Sequence, residues 1–384
     1  MENLNLLTPK LIKLSKSCLG DAEKQAVLGV LDREYLGMGK EVELFESALS
    51  NFFGRPALAV ANGTAALQLA LQACGIGKGD EVLVQSLTYV ATFQAISAVG
   101  AIPVPCDVDP HTLTIDLQDA NKRITSKTRA IIPVHYAGGV GDLNGAYEFA
   151  KTNSLRIIED AAHAFGTTYK ERLIGSFGDI VCFSFDGIKN ITSGEGGCVV
   201  TSDPVILQKI KDARLLGVER DTENRYAGTR SWEFDVTEQG WRYHMSNIMA
   251  AIGLEQIKSF REKSEKRQKL ATYYDSLLHE SSRIEIFNKD YCLVVPHIYV
   301  IRILDLTNRR ELQEKLLSFG IQTGIHYQPN HLLSFYRSSI RNINLSNTDK
   351  IYPEILTLPL HPDLSTNDVK YICDTLKLLV NKIQ

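Results

Sequence analysis

The sequence predicts an α/β protein with a large domain on a mainly parallel sheet and a small α+β domain at its C-terminal end. The length of 384 residues exceeds what a single hydrophobic core usually fills. Short β-branched runs alternate with helical patterns from residue 56 to about 200, a rhythm typical of parallel sheets covered by helices. After about residue 285 one strand pattern and two helical patterns follow. We expect the large domain, with an N-terminal arm, over residues 1–245 and the small domain over 246–384.

Seven apolar runs are predicted to be the strands of the large sheet. They are Ala57–Ala61, Glu81–Gln85, Ile102–Asp107, Ala130–His135, Arg156–Asp160, Ile180–Phe185 and Gly197–Thr201. Between the first two runs, the segment TAALQLALQAC at 64–74 combines good helix formers with apolar residues on most faces. We therefore expect a buried helix there.

The remaining elements follow from the same patterns. Helices are predicted at Val205–Leu216, from Ser246 to about Leu278, at Asn308–Phe319 and at Thr366–Val380, a strand in VVPHIYVIRI (294–303), and a loop at Ile325–Tyr336. The charged run REKSEKRQK at 261–269 is interpreted as a solvated helix face.

Composition excludes several classes of protein. Hydrophobic residues make up 44% and charged residues 23%, as in ordinary globular chains, and a net charge of -3 gives no electrostatic case for nucleic-acid binding. No apolar run approaches membrane-spanning length, and the N-terminus lacks the pattern of a signal peptide. Seven dispersed cysteines show no metal-site spacing, so we expect no metal and interpret them as buried thiols in the cytoplasm.

A lysine follows the predicted strand that ends at Phe185. In SFDGIKNITSGEGG, residues 184–197, Lys189 comes just after the strand and before a glycine cluster. The carboxyl ends of parallel strands face the ligand crevice, so Lys189 is expected there. An amine with apolar neighbours loses its proton more easily and forms an imine with a carbonyl. The alternative, commoner for an isolated lysine, is an exposed turn residue.

Asp160 and His163 belong to a second strand end, in EDAAHAFG at 159–166. A carboxylate facing the crevice needs a positive partner, and a protonated pyridine nitrogen is one. His163, about one helical turn later, is placed to reach the phenolic oxygen of such a ring or lie against it. The alternatives are a helix-capping aspartate and a core histidine.

An anion site is predicted at ANGTAALQL, residues 61–69, where Asn-Gly-Thr joins a strand to the buried helix. Backbone amides of Gly63, Thr64 and Ala65, with the Thr64 hydroxyl, would meet a phosphate at the helix N-terminus, and Ser184 adds another hydroxyl. The alternative is a simple helix cap.

Tyr89, in SLTYVAT, is an aromatic candidate to stack on a ring, although a core tyrosine is the alternative. An imine-forming lysine, a pyridinium partner, a phosphate cradle and a stacking ring are together what pyridoxal phosphate (PLP) requires. The residues alone do not determine the reaction.

Longer motifs resemble the DegT/DnrJ/EryC1/StrS family of sugar aminotransferases, PLP enzymes of the aspartate-aminotransferase fold (fold type I). The matching segments are LGMGKEVELFESAL (36–49), ANGTAALQLAL (61–71), VHYAG (134–138), EDAAHAFG (159–166), SFDGIKNITSGEGG (184–197), GWRYHMSNIMAAIG (240–253) and HYQPNHL (326–332). The resemblance implies that Lys189 forms a Schiff base with PLP and later moves the proton, while Asp160 binds the pyridine nitrogen and His163 contacts the ring oxygen.

The resemblance also implies that Thr64, Ala65 and Ser184 hold the phosphate and that Tyr89 lies against the ring. It implies a homodimer whose active sites are shared, with GWRYHMSN reaching into the partner's site. Here Arg242 stands where the family commonly has asparagine. Arg242 is expected to reach the neighbouring subunit's cofactor phosphate or, alternatively, to pair with a surface carboxylate.

The implied reaction transfers an amino group from L-glutamate to a nucleotide-linked keto-sugar, with a 4-keto-6-deoxy hexose favoured over a 3-keto sugar. His326, Tyr327 and His331 are expected to line the sugar or nucleotide pocket, or else to be structural. A sugar dehydratase of the same family typically has histidine in place of the lysine, and a Schiff-base aldolase would leave Asp160 unexplained. An inactive regulator with the same fold is a further alternative.

Overall fold

The computed structural model describes residues 11–287, 289–338 and 343–381. The N-terminal residues considered for a signal peptide, and the first part of the expected N-terminal arm, lie outside the described residues.

The described chain contains twelve labelled strands and thirteen labelled α-helices. The strands are β1 (Ala57–Val60), β2 (Glu81–Gln85), β3 (Ile102–Cys106), β4 (Thr128–Ile132), β5 (Arg156–Asp160), β6 (Thr168–Tyr169), β7 (Arg172–Leu173), β8 (Ile180–Ser184), β9 (Gly197–Thr201), β10 (Ile284–Ile286), β11 (Tyr299–Ile303) and β12 (Ile355–Leu358). The helices are α1 (Asp21–Asp32), α2 (Lys40–Phe53), α3 (Gly63–Ala73), α4 (Val90–Ala98), α5 (Leu117–Lys122), α6 (Leu143–Thr152), α7 (Pro204–Ala213), α8 (Asp221–Tyr226), α9 (Asn247–Leu278), α10 (Arg309–Ser318), α11 (Ser334–Arg337), α12 (Ser346–Ile351) and α13 (Thr366–Val380).

The large sheet has seven strands in the order β1-β9-β8-β5-β4-β2-β3. Strand β9 is antiparallel to both of its neighbours, and the pairs from β8 to β3 are parallel. The mainly parallel seven-stranded sheet of the sequence analysis is therefore confirmed. Strand β4 ends at Ile132 rather than at the expected His135, because Pro133 follows and has no N–H to donate to a sheet.

Helix α3 is buried along most of its length, as expected from its apolar faces. Asn62 caps it, with the side-chain oxygen accepting a hydrogen bond from the Ala65 backbone N–H at 2.8 Å. Strand β1 and helix α3 thus meet in a short, fixed turn at one edge of the sheet.

Helix α9 links the two cores of the molecule. It begins after Ser246, whose hydroxyl accepts from the Met249 backbone N–H, and it packs against α1 and α2 and also against α13 and β10. Its charged run is mostly solvated, but Arg267 is buried and donates to the carbonyls of His297 and Leu360. The expectation of a solvated face is therefore wrong for Arg267.

The small sheet is antiparallel, in the order β10-β11-β12, and α10 and α13 pack with it around a separate apolar core. The expected α+β architecture is thus present. Because α9 packs with both cores, the division at residues 245 and 246 stays a prediction. In the expected loop 325–336, the structure adds a short helix, α11, which begins at Ser334.

All seven cysteines are free thiols. Cys106, Cys182, Cys198 and Cys373 are buried as expected. The expectation is wrong for Cys292, which is exposed, and for Cys18 and Cys74, which are only partly buried. No helix within the described ranges is long and apolar enough to cross a membrane.

Candidate active site

A cavity of about 420 Å³ opens where the carboxyl ends of β1, β2, β5 and β8 meet, the edge at which ligands bind in α/β sheets. It brings together nine of the residues singled out in the sequence: Gly63, Thr64, Tyr89, Asp160, His163, Ser184, Lys189, His326 and Tyr327. Ala65, Arg242 and His331 do not line it.

Lys189 projects into this cavity from the loop after β8. Its backbone N–H donates to the Asp186 carbonyl at 3.0 Å, which fixes the turn that carries the side chain. Burial lowers the pKa of Lys189 to about 8, although the Asp160 and Asp186 carboxylates oppose the shift. A substantial neutral fraction of the amine is therefore available for attack on a carbonyl near neutral pH.

Asp160 is the last residue of β5 and is only 5% exposed. Its Oδ2 accepts from the Thr92 hydroxyl at 2.7 Å and its Oδ1 from the Ala162 backbone N–H at 3.2 Å. No helix starts after Asp160, so the alternative of a helix-capping aspartate is wrong. Among the described residues no lysine or arginine forms an ion pair with this carboxylate. A buried carboxylate of this kind suits a cationic ring nitrogen.

His163 is held in one protonation state. Its Nδ1 accepts from the Ala137 backbone N–H at 3.3 Å, and its Nε2 lies 3.0 Å from the Tyr327 hydroxyl. Burial, reinforced by the positive charge of Lys189, keeps the pKa of His163 well below its ordinary value. The neutral ring therefore carries its proton on Nε2, and this N–H donates a hydrogen bond to the Tyr327 hydroxyl.

One residue of the predicted anion site has its backbone amide engaged within the chain. The Asn62 side chain already accepts a hydrogen bond from the Ala65 amide, and Ala65 is only 2% exposed. That amide is therefore not free to bind a phosphate. Gly63 and Thr64 remain at the cavity, together with Ser184. A Cβ added at Gly63 would lie 2.8 Å from the Ser184 Cβ, so glycine allows the close approach of the two chain segments.

Tyr89 lies on the cavity wall and is 55% exposed, so the alternative of a core tyrosine is wrong. Its ring centroid is 5.3 Å from that of Tyr327, at an interplanar angle of 44°. Burial raises the pKa of Tyr327 well above its usual value, so its hydroxyl stays protonated. The two rings form an aromatic side of the cavity on which a planar group can pack.

His331 has structural contacts. Its Nδ1 is 2.8 Å from the Ser86 hydroxyl and its Nε2 is 3.1 Å from Asp349 Oδ1. The neighbouring Asn330 donates to the carbonyls of Ser86 and Thr88. These contacts anchor the HYQPNHL loop to the segment that carries Tyr89, whereas His326 and Tyr327 reach the cavity.

Arg242 is exposed outside the cavity, and its backbone forms an isolated antiparallel β-bridge with Leu215. No carboxylate in the described part of the chain forms an ion pair with it, so the alternative of a surface pair is not observed there. Its role stays a prediction.

Four residues at the site are not among those that the sequence patterns predict. Thr92 contacts Asp160, His297 contacts Lys189, and Asp186 and Glu195 line the cavity. Asp186 and Glu195 lie inside the motif around Lys189, so the motif itself was a usable signal. Thr92 and His297 lie in patterns typical of a helix and a strand, and only the fold brings them to the site.

The fold is PLP fold type I and the protein is an aminotransferase, as expected from the sequence. The model of the DegT/DnrJ/EryC1/StrS aminotransferase family matches residues 17–377. The chain belongs to this aminotransferase family.

Several relatives support this assignment. The spore coat polysaccharide biosynthesis protein SpsC of Bacillus subtilis is 35% identical over 370 residues, 94% of this chain and 95% of the relative. PseC of Helicobacter pylori, an aminotransferase involved in the biosynthesis of pseudoaminic acid, matches with a TM-score of 0.90 and 28% identity over 97% of this chain and 100% of its own. Spr1654 of Streptococcus pneumoniae in its PLP form matches with a TM-score of 0.89 and 30% identity, over 97% of this chain and 100% of its own.

Proposed function

We propose that this protein transfers the amino group of L-glutamate to a nucleotide-linked keto-sugar, with PLP held by Lys189. The observation that carries the proposal is that one cavity contains both the Lys189 amine, whose pKa is lowered to about 8, and the buried Asp160 carboxylate, which forms no ion pair with a lysine or arginine in the described chain.

The cavity fits PLP group by group. Asp160 would hold the protonated pyridine nitrogen, and Thr92 and the Ala162 amide orient that carboxylate. Gly63, Thr64 and Ser184 would meet the phosphate at the N-terminus of α3. When bound, PLP supplies an electron sink that stabilises the negative charge left when a proton leaves the amino-bearing carbon.

Lys189 serves the reaction twice. It would hold the cofactor through Nζ. When released, its Nζ would take a proton from the carbon that gives up the amino group and deliver that proton to the carbon that receives the nitrogen. A base with a pKa of about 8 suits this exchange near neutral pH, because it both accepts and gives up a proton readily. The neutral His163 keeps the Tyr327 hydroxyl in place beside the ring.

A second copy of the chain completes the site in this proposal. Lys189 is the only lysine or arginine lining the cavity within the described residues, whereas Asp160, Asp186 and Glu195 all line it. Burial and the Asp186 charge raise the pKa of Glu195. A phosphate in this surrounding benefits from an added cation, and we assign that role to Arg242 of a second copy in a symmetric homodimer.

The substrate is proposed to be a 4-keto-6-deoxy hexose on a nucleotide, with His326 and Tyr327 beside the sugar. Burial lowers the pKa of His326 to about 4, so its ring is neutral and contacts the sugar by hydrogen bonding or packing rather than by charge. The product would be an amino sugar for a surface polysaccharide such as an O-antigen, made in the cytoplasm. SpsC, a polysaccharide biosynthesis protein, supports this destination.

The test is to convert the purified protein to its amino form with L-glutamate and then to add a panel of nucleotide-linked keto-sugars. We expect a 4-keto-6-deoxy sugar to restore the visible absorbance of the PLP form. If only 3-keto sugars restore this absorbance, the enzyme aminates C3 of the sugar rather than C4. Failure with every sugar, together with turnover of a simple keto acid, contradicts the sugar substrate.

A further inference from the structure

His297 is buried directly behind the reactive lysine. It is 2% exposed, and its Nε2 lies 3.4 Å from the Lys189 Nζ. Among the described residues this amine is the only hydrogen-bonding partner of the ring, because Nδ1 is buried without one. His297 does not line the cavity itself, so it contacts the lysine rather than the space for substrate.

Packing alone does not account for a histidine at this position. A buried polar nitrogen without a partner costs free energy that an apolar side chain of similar size avoids. The ring of His163, with its centroid 4.5 Å away at 45°, would pack equally well against a phenylalanine. Phenylalanine cannot form a hydrogen bond with Lys189, whereas the imidazole of His297 can.

The backbone around His297 is fixed on two sides. Arg267, which is buried, donates from Nη1 to the His297 carbonyl at 3.1 Å, and within the described chain no carboxylate forms an ion pair with it. Asn190, the residue after Lys189, donates from its side chain to the Val295 carbonyl at 3.2 Å. The loop that contains Lys189 is therefore hydrogen-bonded to the segment that contains His297.

We propose that His297 is a positioning residue for Lys189: its Nε2 accepts an N–H of the amine and so directs the nitrogen lone pair away from His297 and into the cavity. This inference rests on the proposed function, in which that lone pair attacks the cofactor and later takes up a proton. Burial, and then the charge of Lys189, keep the pKa of His297 well below its ordinary value, so the ring is a neutral acceptor.

The test compares two substitutions. His297→Phe keeps the ring volume and removes the acceptor, whereas His297→Gln keeps an acceptor at a similar reach. In cofactor-free protein, trace acetylation of Lys189 is measured by peptide mass spectrometry against the exposed Lys24 as internal reference. We expect acetylation of Lys189 to slow about threefold or more in H297F and to stay within about twofold of wild type in H297Q, since orientation sets the rate of attack.

The loaded enzyme gives a second measurement. In H297F we expect kcat with glutamate to fall about tenfold or more with little change in KM, and the isotope effect with α-deuterated glutamate to rise, because the misplaced amine makes proton transfer slow. H297Q should recover most of the rate.

Acetylation and turnover of H297F at wild-type rates would overturn the inference. Equal impairment of both variants, with equally lowered thermal stability, would also overturn it in favour of a structural role. If H297F does not fold, His297→Asn replaces it, because the shorter amide does not reach the amine. A wild-type protein without transaminase activity contradicts the proposed function, while the acetylation comparison still decides the role of His297.

Discussion

Gly63 lies so close to Ser184 that a side chain at position 63 does not fit without movement. In Gly63→Ala, the new methyl carbon would lie 2.8 Å from the Ser184 Cβ and 3.2 Å from its Oγ. Ordinary carbon contacts are about 3.5 to 4.0 Å, so the overlap is about 0.7 Å or more. The contact is with Cβ and not with a flexible chain end, so the backbone must move.

Two effects oppose each other in this variant. Overpacking lowers the free energy of unfolding by about 1–3 kcal/mol. Alanine in place of glycine restricts the unfolded chain and raises it by about 0.4–1 kcal/mol. We expect the protein to lose about 1–2 kcal/mol of stability. Because the shift separates the Thr64 and Ser184 groups that would hold the phosphate, PLP should bind about tenfold more weakly, which corresponds to about 1.4 kcal/mol.

The assays are thermal unfolding of the cofactor-free protein and a titration with PLP followed by absorbance. Gly37→Ala is the matched control, because no atom lies within 4 Å of a Cβ there and its backbone is not left-handed. The control should bind PLP like wild type and unfold at the same or a slightly higher temperature. If Gly63→Ala behaves like the control in both assays, the phosphate is not held at this turn.

Asp160, Lys189 and the buried Arg214 each allow a further test. Asp160→Asn should still bind PLP but slow the reaction with glutamate about 10²-fold or more, as measured by rapid-mixing absorbance, because a neutral amide does not hold the ring nitrogen protonated. In cofactor-free protein, acetylation of Lys189 should rise with pH through a midpoint near 8 rather than near the model-peptide value of 10.5, since only the neutral amine reacts; a midpoint near 10.5 contradicts the buried environment. Glu46→Leu should destabilise the protein by about 3–5 kcal/mol in urea unfolding, because it leaves the fully buried Arg214 without its carboxylate, whereas Glu265→Ala, in an exposed pair, should change stability by less than about 1 kcal/mol.

The strands were predictable because their apolar runs are short and are bounded by turn residues. Strands β2, β5 and β9 begin and end at the predicted residues. The strand ends then placed Asp160 and Lys189 at one edge of the sheet, since parallel strands present their carboxyl ends together. This step required only the order of elements along the chain.

The order of elements does not predict which side chain takes up a given backbone amide, or which residues far apart in the sequence come into contact. Asn62 lies in the predicted phosphate-binding turn, but its side chain accepts a hydrogen bond from the Ala65 amide, which the prediction gives to the ligand. His331 shares a motif with His326 but turns toward Ser86 and Asp349. His297 is 108 residues from Lys189, and no local pattern relates the two.

Identifying the residue that carries the cofactor tests the role of Lys189 directly. The protein is incubated with PLP, reduced with sodium borohydride to fix the linkage, digested and examined by mass spectrometry. We expect a phosphopyridoxyl group on Lys189 that is absent from the Lys189→Ala variant and is not found on exposed lysines such as Lys24. An unmodified Lys189, or labelling spread equally over exposed lysines, would contradict it.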